Sequence, residues 1–211
     1  MARAPFVSLD GLDGAGKSTQ CRLLADWLRG RELDVVECAD PGGTDVGDVL
    51  RQLLLDHRGH MTVPCEALLF MASRAQLVAE VIAPALAAGK AVICDRFLLA
   101  NVVYQGYAGG LDPQKLWDIG LFAIGGLQPD VTFVLDLPLE AAQVRRKSSA
   151  DRMERRDGAF FAKVREGFLT EARRRPDRIQ IIDATQPVDA MQSILRASLQ
   201  RWFEREKTGP S

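Results

Sequence analysis

The residues Gly11-Leu12-Asp13-Gly14-Ala15-Gly16-Lys17-Ser18 fit the pattern G-x-x-x-x-G-K-[ST] at each fixed position and directly follow a strand-like run, Phe6 to Leu9. A loop of this kind needs a strand before it and a helix after it, which commits the start of the chain to a strand-loop-helix unit. The next stretch supplies the helix, with Cys21, Leu23, Leu24, Trp27 and Leu28 at amphipathic spacing. Glycines at 11, 14 and 16 allow backbone angles and close approaches that side chains would block, so successive N–H groups can turn inward around a polyphosphate. Lys17 adds a point charge for the β and γ phosphates, Ser18 offers a hydroxyl to Mg²⁺, and the positive end of the helix points at the same phosphates. Gly11, Leu12, Asp13, Gly14, Ala15, Gly16, Lys17, Ser18 and Thr19 are therefore the expected nucleoside triphosphate-binding residues. The alternative is a glycine-rich turn carrying a solvated lysine, and the flanking strand and helix signals argue against it.

A chain of 211 residues with 47% hydrophobic content has the length of one compact domain, here residues 1–211, with enough apolar residues for a full core. Its 27 basic and 28 acidic residues leave a formal charge of −1, so no global field recruits nucleic acid or an acidic membrane, and polyanion binding must be local. Cys21, Cys38, Cys65 and Cys94 lie far apart, and the only histidines are His57 and His60. The cysteines read as reduced, mostly buried small hydrophobes of a cytoplasmic protein rather than disulfide partners or metal ligands. The amino terminus lacks a signal-peptide pattern, and no later apolar run reads as long enough to cross a bilayer.

Short β-rich apolar runs alternate with helical patterns. Phe6 to Leu9, Asp34 to Cys38, Ala91 to Cys94, Val131 to Leu135 and Ile179 to Ile182 are the strand candidates. Thr19 to Leu28, Val46 to Leu55, Cys65 to Ala87, Pro113 to Ile124, Phe160 to Arg174 and Ala190 to Trp202 carry apolar residues at the spacing of one helical face. Strands separated by helices of this length imply parallel pairing through right-handed crossovers. The expected architecture is a three-layer α/β domain, a five-stranded parallel sheet flanked by helices, with ligands at the carboxyl ends of the strands.

Two further segments fall at that edge. Val92-Ile93-Cys94-Asp95-Arg96 ends a strand with a carboxylate able to hold Mg²⁺ and an arginine able to grip phosphate; a mutual salt bridge closing the strand is the other reading. Asp40-Pro41-Gly42-Gly43-Thr44 leaves the second strand as a turn.

Taken in order, Leu9 to Thr19, Asp40 to Thr44, Leu69-Phe70-Met71-Ala72-Ser73-Arg74-Ala75-Gln76, Asp95-Arg96-Phe97, Tyr104-Gln105-Gly106 and Asp151-Arg152-Met153-Glu154 resemble the bacterial thymidylate kinases. The likeness extends to Gln128-Pro129-Asp130 and Ile182-Asp183-Ala184, and so covers nearly the whole chain. It implies a P-loop kinase fold in which ATP, with Mg²⁺, phosphorylates thymidine 5′-monophosphate to the diphosphate, feeding thymidine triphosphate and DNA synthesis, usually in a homodimer built from helices. It further implies that Phe70 stacks on the thymine and Arg74 bonds the base edge, that Asn101 addresses the pyrimidine, and that Tyr104 lies beneath the sugar and excludes a ribose 2′-hydroxyl. Arg96 would bind the acceptor phosphate, Asp13 would stand near it, and Asp40, Pro41 and Gln105 would complete the acceptor site. Ser18 and Asp95 would hold the metal.

Ala15 stands where eukaryotic-type members carry a loop arginine. The positive charge for the transferring phosphoryl is then expected from Arg145, Arg146 and above all Arg152, in a mobile lid over about 143–157; a charge run of this kind is otherwise a solvated face. Ala39, Asp40 and Ala100 depart from the family's usual residues, which bears on acceptor affinity. A related nucleoside monophosphate kinase is the nearest rival. A GTPase switch would need a guanine-reading N-K-x-D, which the sequence lacks.

Overall fold

The computed structural model describes residues 3–145 and 156–208. Five parallel strands, β1 (Phe6–Gly11), β2 (Val35–Ala39), β3 (Ala91–Asp95), β4 (Val131–Asp136) and β5 (Ile179–Asp183), form one sheet in the order β2-β3-β1-β4-β5. The central strand β1 pairs Leu9 with Asp95 of β3 on one side and Gly11 with Leu135 of β4 on the other. The chain therefore winds first to one side of β1 and then to the other. The crevice this leaves at the carboxyl end of β1 is where an open α/β sheet takes its ligand. Helices cover both faces, so β1 is buried along its whole length and β3 along all but its last residue. Strands buried on both faces are written as largely apolar runs, which is why β1, β3 and β4 were legible as strands; the edge strands β2 and β5 are only partly buried and were legible from their β-branched residues.

The helices are α1 (Lys17–Arg29), α2 (Asp45–Asp56), α3 (Val63–Leu77), α4 (Ala83–Ala87), α5 (Leu98–Asn101), α6 (Pro113–Ala123), α7 (Leu139–Arg145), α8 (Gly158–Arg174) and α9 (Val188–Thr208). The single helix expected over Cys65 to Ala87 is α3 and α4 joined by a π-helical segment, Val78–Ile82. Pro84 has no N–H for the carbonyl of residue 80 and its ring crowds that carbonyl, so the wider turn opens where an α-helix would clash. By length and composition, Val63–Ala87 is also long and apolar enough to cross a bilayer, contrary to the expectation that no run qualifies. Within the fold one face of it buries Glu66, Met71, Arg74 and Leu77.

Two helical segments had no counterpart in the sequence reading. One is α7. The other is α5 with its π-helical continuation Val102–Ala108, where Leu98, Leu99, Val102, Val103, Tyr104, Gln105 and Gly106 are all buried. A helix buried on every side has no polar face, and without one the 3.6-residue period disappears. The segment is clamped by α8, whose buried Glu171 accepts hydrogen bonds from Tyr107 Oη at 2.7 Å and from Trp117 Nε1 of α6 at 2.9 Å. Cys21 and Cys94 are buried thiols, Cys38 is half-buried and Cys65 is exposed, and all four are free.

Because Glu171 ties α8, α6 and the Tyr107 segment through one carboxylate, Glu171→Ala leaves the buried Trp117 donor and the half-buried Tyr107 hydroxyl without their acceptor. A buried donor left without its acceptor costs about 1–3 kcal/mol. Urea unfolding should register a loss in that range; a change below about 1 kcal/mol would show that the clamp does not hold the segment.

Candidate active site

The loop after β1 turns where only glycine fits. Gly11 has φ +132°, and a Cβ there would stand 2.5 Å from the Leu135 carbonyl oxygen. Gly16, at φ +93°, caps α1 and has open space where its Cβ would be. Lys17 is buried in the first turn of α1 and curls back, donating through Nζ to the carbonyls of Gly11 at 3.3 Å and Leu12 at 3.0 Å and facing Asp13 Oδ1 at 3.3 Å.

Asp95 and Arg96 diverge at the end of β3 and do not pair with each other. Ser18 Oγ donates to Asp95 Oδ2 at 2.6 Å. Arg96 adopts φ +70°, a left-handed backbone conformation rare for a side-chain-bearing residue, and its guanidinium reaches Asp13 Oδ1 at 2.5 Å and the Gly11 carbonyl at 3.1 Å. The same guanidinium lies 5.2 Å over the Tyr104 ring. Two cations thus converge on one carboxylate oxygen at the head of the loop.

A cleft of about 700 Å³ opens from this point. Asp13, Gly14, Gly16, Lys17, Ser18, Thr19, Asp40, Pro41, Phe70, Arg74, Asp95, Arg96, Asn101, Tyr104, Gln105 and Arg145 line it. Gly11, Leu12 and Ala15 are not in its wall; Leu12 and Ala15 are buried, and Gly11 is the last residue of β1. The sequence reading missed Arg51 and Leu55, which line the cleft from α2. Arg51 donates to the Pro41 carbonyl at 2.6 Å, and its one signal is its place two turns into the helix that Thr44 caps. Arg146 and Arg152 lie outside the described residues. Arg145 ends α7 and donates to the Ala184 carbonyl, just beyond β5, at 3.1 Å.

The far wall is polar and buried. Arg74 is 1% exposed and donates through Nε to Asp40 Oδ2 at 2.5 Å. Its guanidinium continues to Asn101 Oδ1 at 3.2 Å, and Asn101 Nδ2 donates to Gln105 Oε1 at 2.7 Å. Phe70, half-buried on α3 one turn before Arg74, presents its ring to the cleft.

The charges shift one another strongly. Burial would raise the Asp13 carboxyl, but Arg96 and Lys17 outweigh it and hold the group well below the usual carboxylate range. Burial lowers Lys17, and the neighbouring Arg96 lowers it further, with Asp13 and Asp95 offsetting part of the effect. Asp40 is raised by burial, with Arg74 compensating in part. Asp10, the residue before Gly11, is fully buried, and among the described residues neither of its oxygens has a hydrogen-bond partner. Burial pushes its carboxyl up to about 7, against the pull of Arg96 and Lys17 and with the help of Asp95 and Asp40.

Ser18 and Asp95 bring a hydroxyl and a carboxylate together at the edge of the cleft, an all-oxygen set suited to a hard cation such as Mg²⁺. Among the described residues no three His, Cys, Asp or Glu side chains cluster as metal ligands. A cation here would draw its remaining ligands from phosphate oxygens and water, as Mg²⁺ ordinarily does.

A family model described as thymidylate kinase matches residues 9–194. The chain is 47% identical over 192 residues to a thymidylate kinase of Rhodopirellula baltica, covering 91% of this chain and 78% of that one. It is 44% identical over 207 residues to a thymidylate kinase of Symbiobacterium thermophilum, covering 97% and 96%. Among solved structures, a thymidylate kinase from Ehrlichia chaffeensis superposes with a TM-score of 0.77 at 30% identity, over 93% of this chain and 98% of that one.

Asp10 makes ligand-free stability depend on pH with a definite sign. Its folded value near 7 lies above the ordinary 3.8, so between those limits the folded state holds a proton that the unfolded state releases. Its contribution is complete below about pH 4, falls by up to about 1.4 kcal/mol per pH unit across the window, and is gone above about pH 7. Unfolding measured from pH 4 to 8 should show Asp10→Asn gaining on the wild type as pH rises. Parallel curves would mean that Asp10 is not held protonated.

Proposed function

The chain belongs to the thymidylate kinase family, a phosphotransferase that uses ATP to convert thymidine 5′-monophosphate to the diphosphate, and from that premise we propose how this cleft divides the work. The convergence of Lys17 and Arg96 on Asp13 carries the reading. It is a cationic site held ready by a carboxylate that phosphate oxygens can replace.

The nucleophile is a phosphate oxygen of the acceptor. A phosphate monoester has a second pKa near 6, so this oxygen is already anionic at neutral pH and no general base is needed. What remains for the protein is to hold two phosphates in line and to neutralise charge on the group that moves between them. Gly11 through Thr19 wrap the ATP phosphates with backbone N–H groups, and Lys17 turns from the loop carbonyls to the β and γ oxygens. Arg96 grips the acceptor phosphate, and Asp13 stands beside it. Ser18 and Asp95 hold Mg²⁺, which when bound neutralises phosphate charge. Phe70 stacks on the thymine, Arg74, Asn101 and Gln105 address its polar edge, Asp40 and Pro41 frame that wall, and Tyr104 fills the space that a 2′-hydroxyl would need.

Charge on the transferred phosphoryl is met by Arg152, assisted by Arg146 and Arg145, in a lid over about 143–157 of the single domain 1–211. Arg145 must release the Ala184 carbonyl to take part. The enzyme works in the cytoplasm as a homodimer, and its product leads to thymidine triphosphate. Exposed apolar residues support the dimer: Val46, Val49 and Leu53 on α2, Leu68 on α3, and Ile119 and Phe122 on α6. These helices pack in series, α2 on α3 and α3 on α6, and an apolar surface of that kind marks an interface.

Arg152→Ala should lower turnover by roughly 10³-fold while leaving thymidine monophosphate affinity nearly unchanged, because its contact forms in the transition state. Arg96→Ala should weaken both. Titration of the acceptor alongside single-turnover rates separates the two. Normal turnover in Arg152→Ala, Arg145→Ala and Arg146→Ala alike would show that the segment is only a solvated charge run.

A further inference from the structure

The polar wall of the cleft does not end at Gln105. Gln105 Nε2 donates at 2.8 Å to Oε1 of Glu66, a 2% exposed carboxylate in the first turn of α3 that lies behind the cleft rather than in its lining. The other oxygen, Glu66 Oε2, meets Arg156 Nη2 at 3.5 Å. Arg156 in turn lies 5.0 Å over the Phe160 ring. The result is one chain of side chains from Asp40 through Arg74, Asn101 and Gln105 to Glu66, with Arg156 beyond.

The order of donors and acceptors along this chain is not free. Arg74 can only donate, and a carboxylate at 66 can only accept. Between them stand two amides, each able to face either way. With Arg74 donating to Asn101, the oxygen of Asn101 must face Arg74, and its NH₂ must face Gln105. The oxygen of Gln105 is thereby taken, and its NH₂ needs an acceptor beyond, which Glu66 supplies. If either amide turned, a donor would face a donor or an acceptor an acceptor in a buried site, where an unmade hydrogen bond is at its most costly.

We propose that Glu66 is a specificity-positioning residue, which fixes the orientation of the Gln105 and Asn101 amides and so makes the base-binding wall complementary to thymine rather than cytosine. Thymine offers an N3–H donor beside an O4 acceptor, and cytosine offers the reverse. An Asn101 oxygen with one lone pair still available, next to guanidinium N–H groups, suits the first arrangement and opposes the second. This rests on the reading that the base sits against Phe70 and Arg74.

The test compares kcat/KM for thymidine and deoxycytidine monophosphates in full-length variants. Glu66→Met, of similar length and without an acceptor, should lower the thymidine-to-deoxycytidine ratio by roughly tenfold or more, the scale of one buried unpaired donor. Glu66→Gln, which keeps an acceptor oxygen, should restore the ratio to within about threefold of the wild type. A merely structural role would change both substrates alike and leave the ratio where it was, and that result in a folded Glu66→Met protein with wild-type ATP KM overturns the proposal. If Glu66→Met does not fold, Gln105→Met cuts the chain at its next link and takes its place, with the same loss expected and an unchanged ratio overturning the proposal. Phe70→Ala separates the two readings. If it binds thymidine monophosphate like the wild type, the base does not sit here; if it binds weakly while Glu66→Met keeps the ratio, only the role of Glu66 fails.

Discussion

The Asp13 carboxylate holds together two cations that would otherwise repel. Lys17 Nζ and Arg96 Nη2 approach the same oxygen, at 3.3 and 2.5 Å, one from the helix after the loop and the other from the end of β3. Without that carboxylate, burial and mutual repulsion would both disfavour the charged lysine, and each already acts to lower it. The loop, the two central strands and the head of the cleft share this contact, so an anion placed there meets basic groups that are paired and aimed before it arrives. Preorganisation of this kind makes electrostatic stabilisation effective in a partly dry site.

Arg96 meets Asp13 because the backbone around it is constrained. Its left-handed φ carries a penalty of order 1–3 kcal/mol that the surroundings must overcome. Its N–H bonds the Leu9 carbonyl at 2.9 Å across to β1, and the segment that follows dives into the core as α5. That segment then delivers Asn101, Tyr104 and Gln105 to the cleft, on a helix buried on all sides and clamped by Glu171. The rigidity of the acceptor wall therefore originates on the far side of the site, in α6 and α8. The polar chain from Asp40 to Glu66 ties the same wall together from within.

Much of this was legible in the sequence. The three inner strands read clearly because buried parallel strands are written as largely apolar runs, the two partly buried edge strands because of their β-branched residues, and the loop at Gly11 to Ser18 because its glycines, lysine and serine have fixed jobs. The π-helical break before Pro84 and the helix over Leu98–Asn101 and Val102–Ala108 did not, the first because tertiary packing keeps a proline inside a helix and the second because a fully buried helix shows no polar period. Arg74 could be singled out only through the family likeness, which gave no hint of its burial against Asp40. Glu66 and Asp10 stayed hidden for a different reason. Each looks like an ordinary surface acid in sequence, and only the fold shows that both are sealed from water.

The central claim is that Asp13 keeps Arg96 and Lys17 ready and yields them to the phosphates. Asp13→Asn tests it most directly, since it preserves shape and removes the negative charge with which the phosphates compete for Arg96 and Lys17. Acceptor binding by calorimetry and single-turnover transfer should be measured on the same preparation. The account predicts thymidine monophosphate binding as tight as in the wild type or tighter, because Arg96 no longer has a carboxylate to leave, together with transfer slowed by roughly tenfold or more for want of the group beside the acceptor phosphate. Acceptor binding weakened in proportion to the rate would contradict it, and would make Asp13 a direct ligand of the acceptor instead of the holder of its cations.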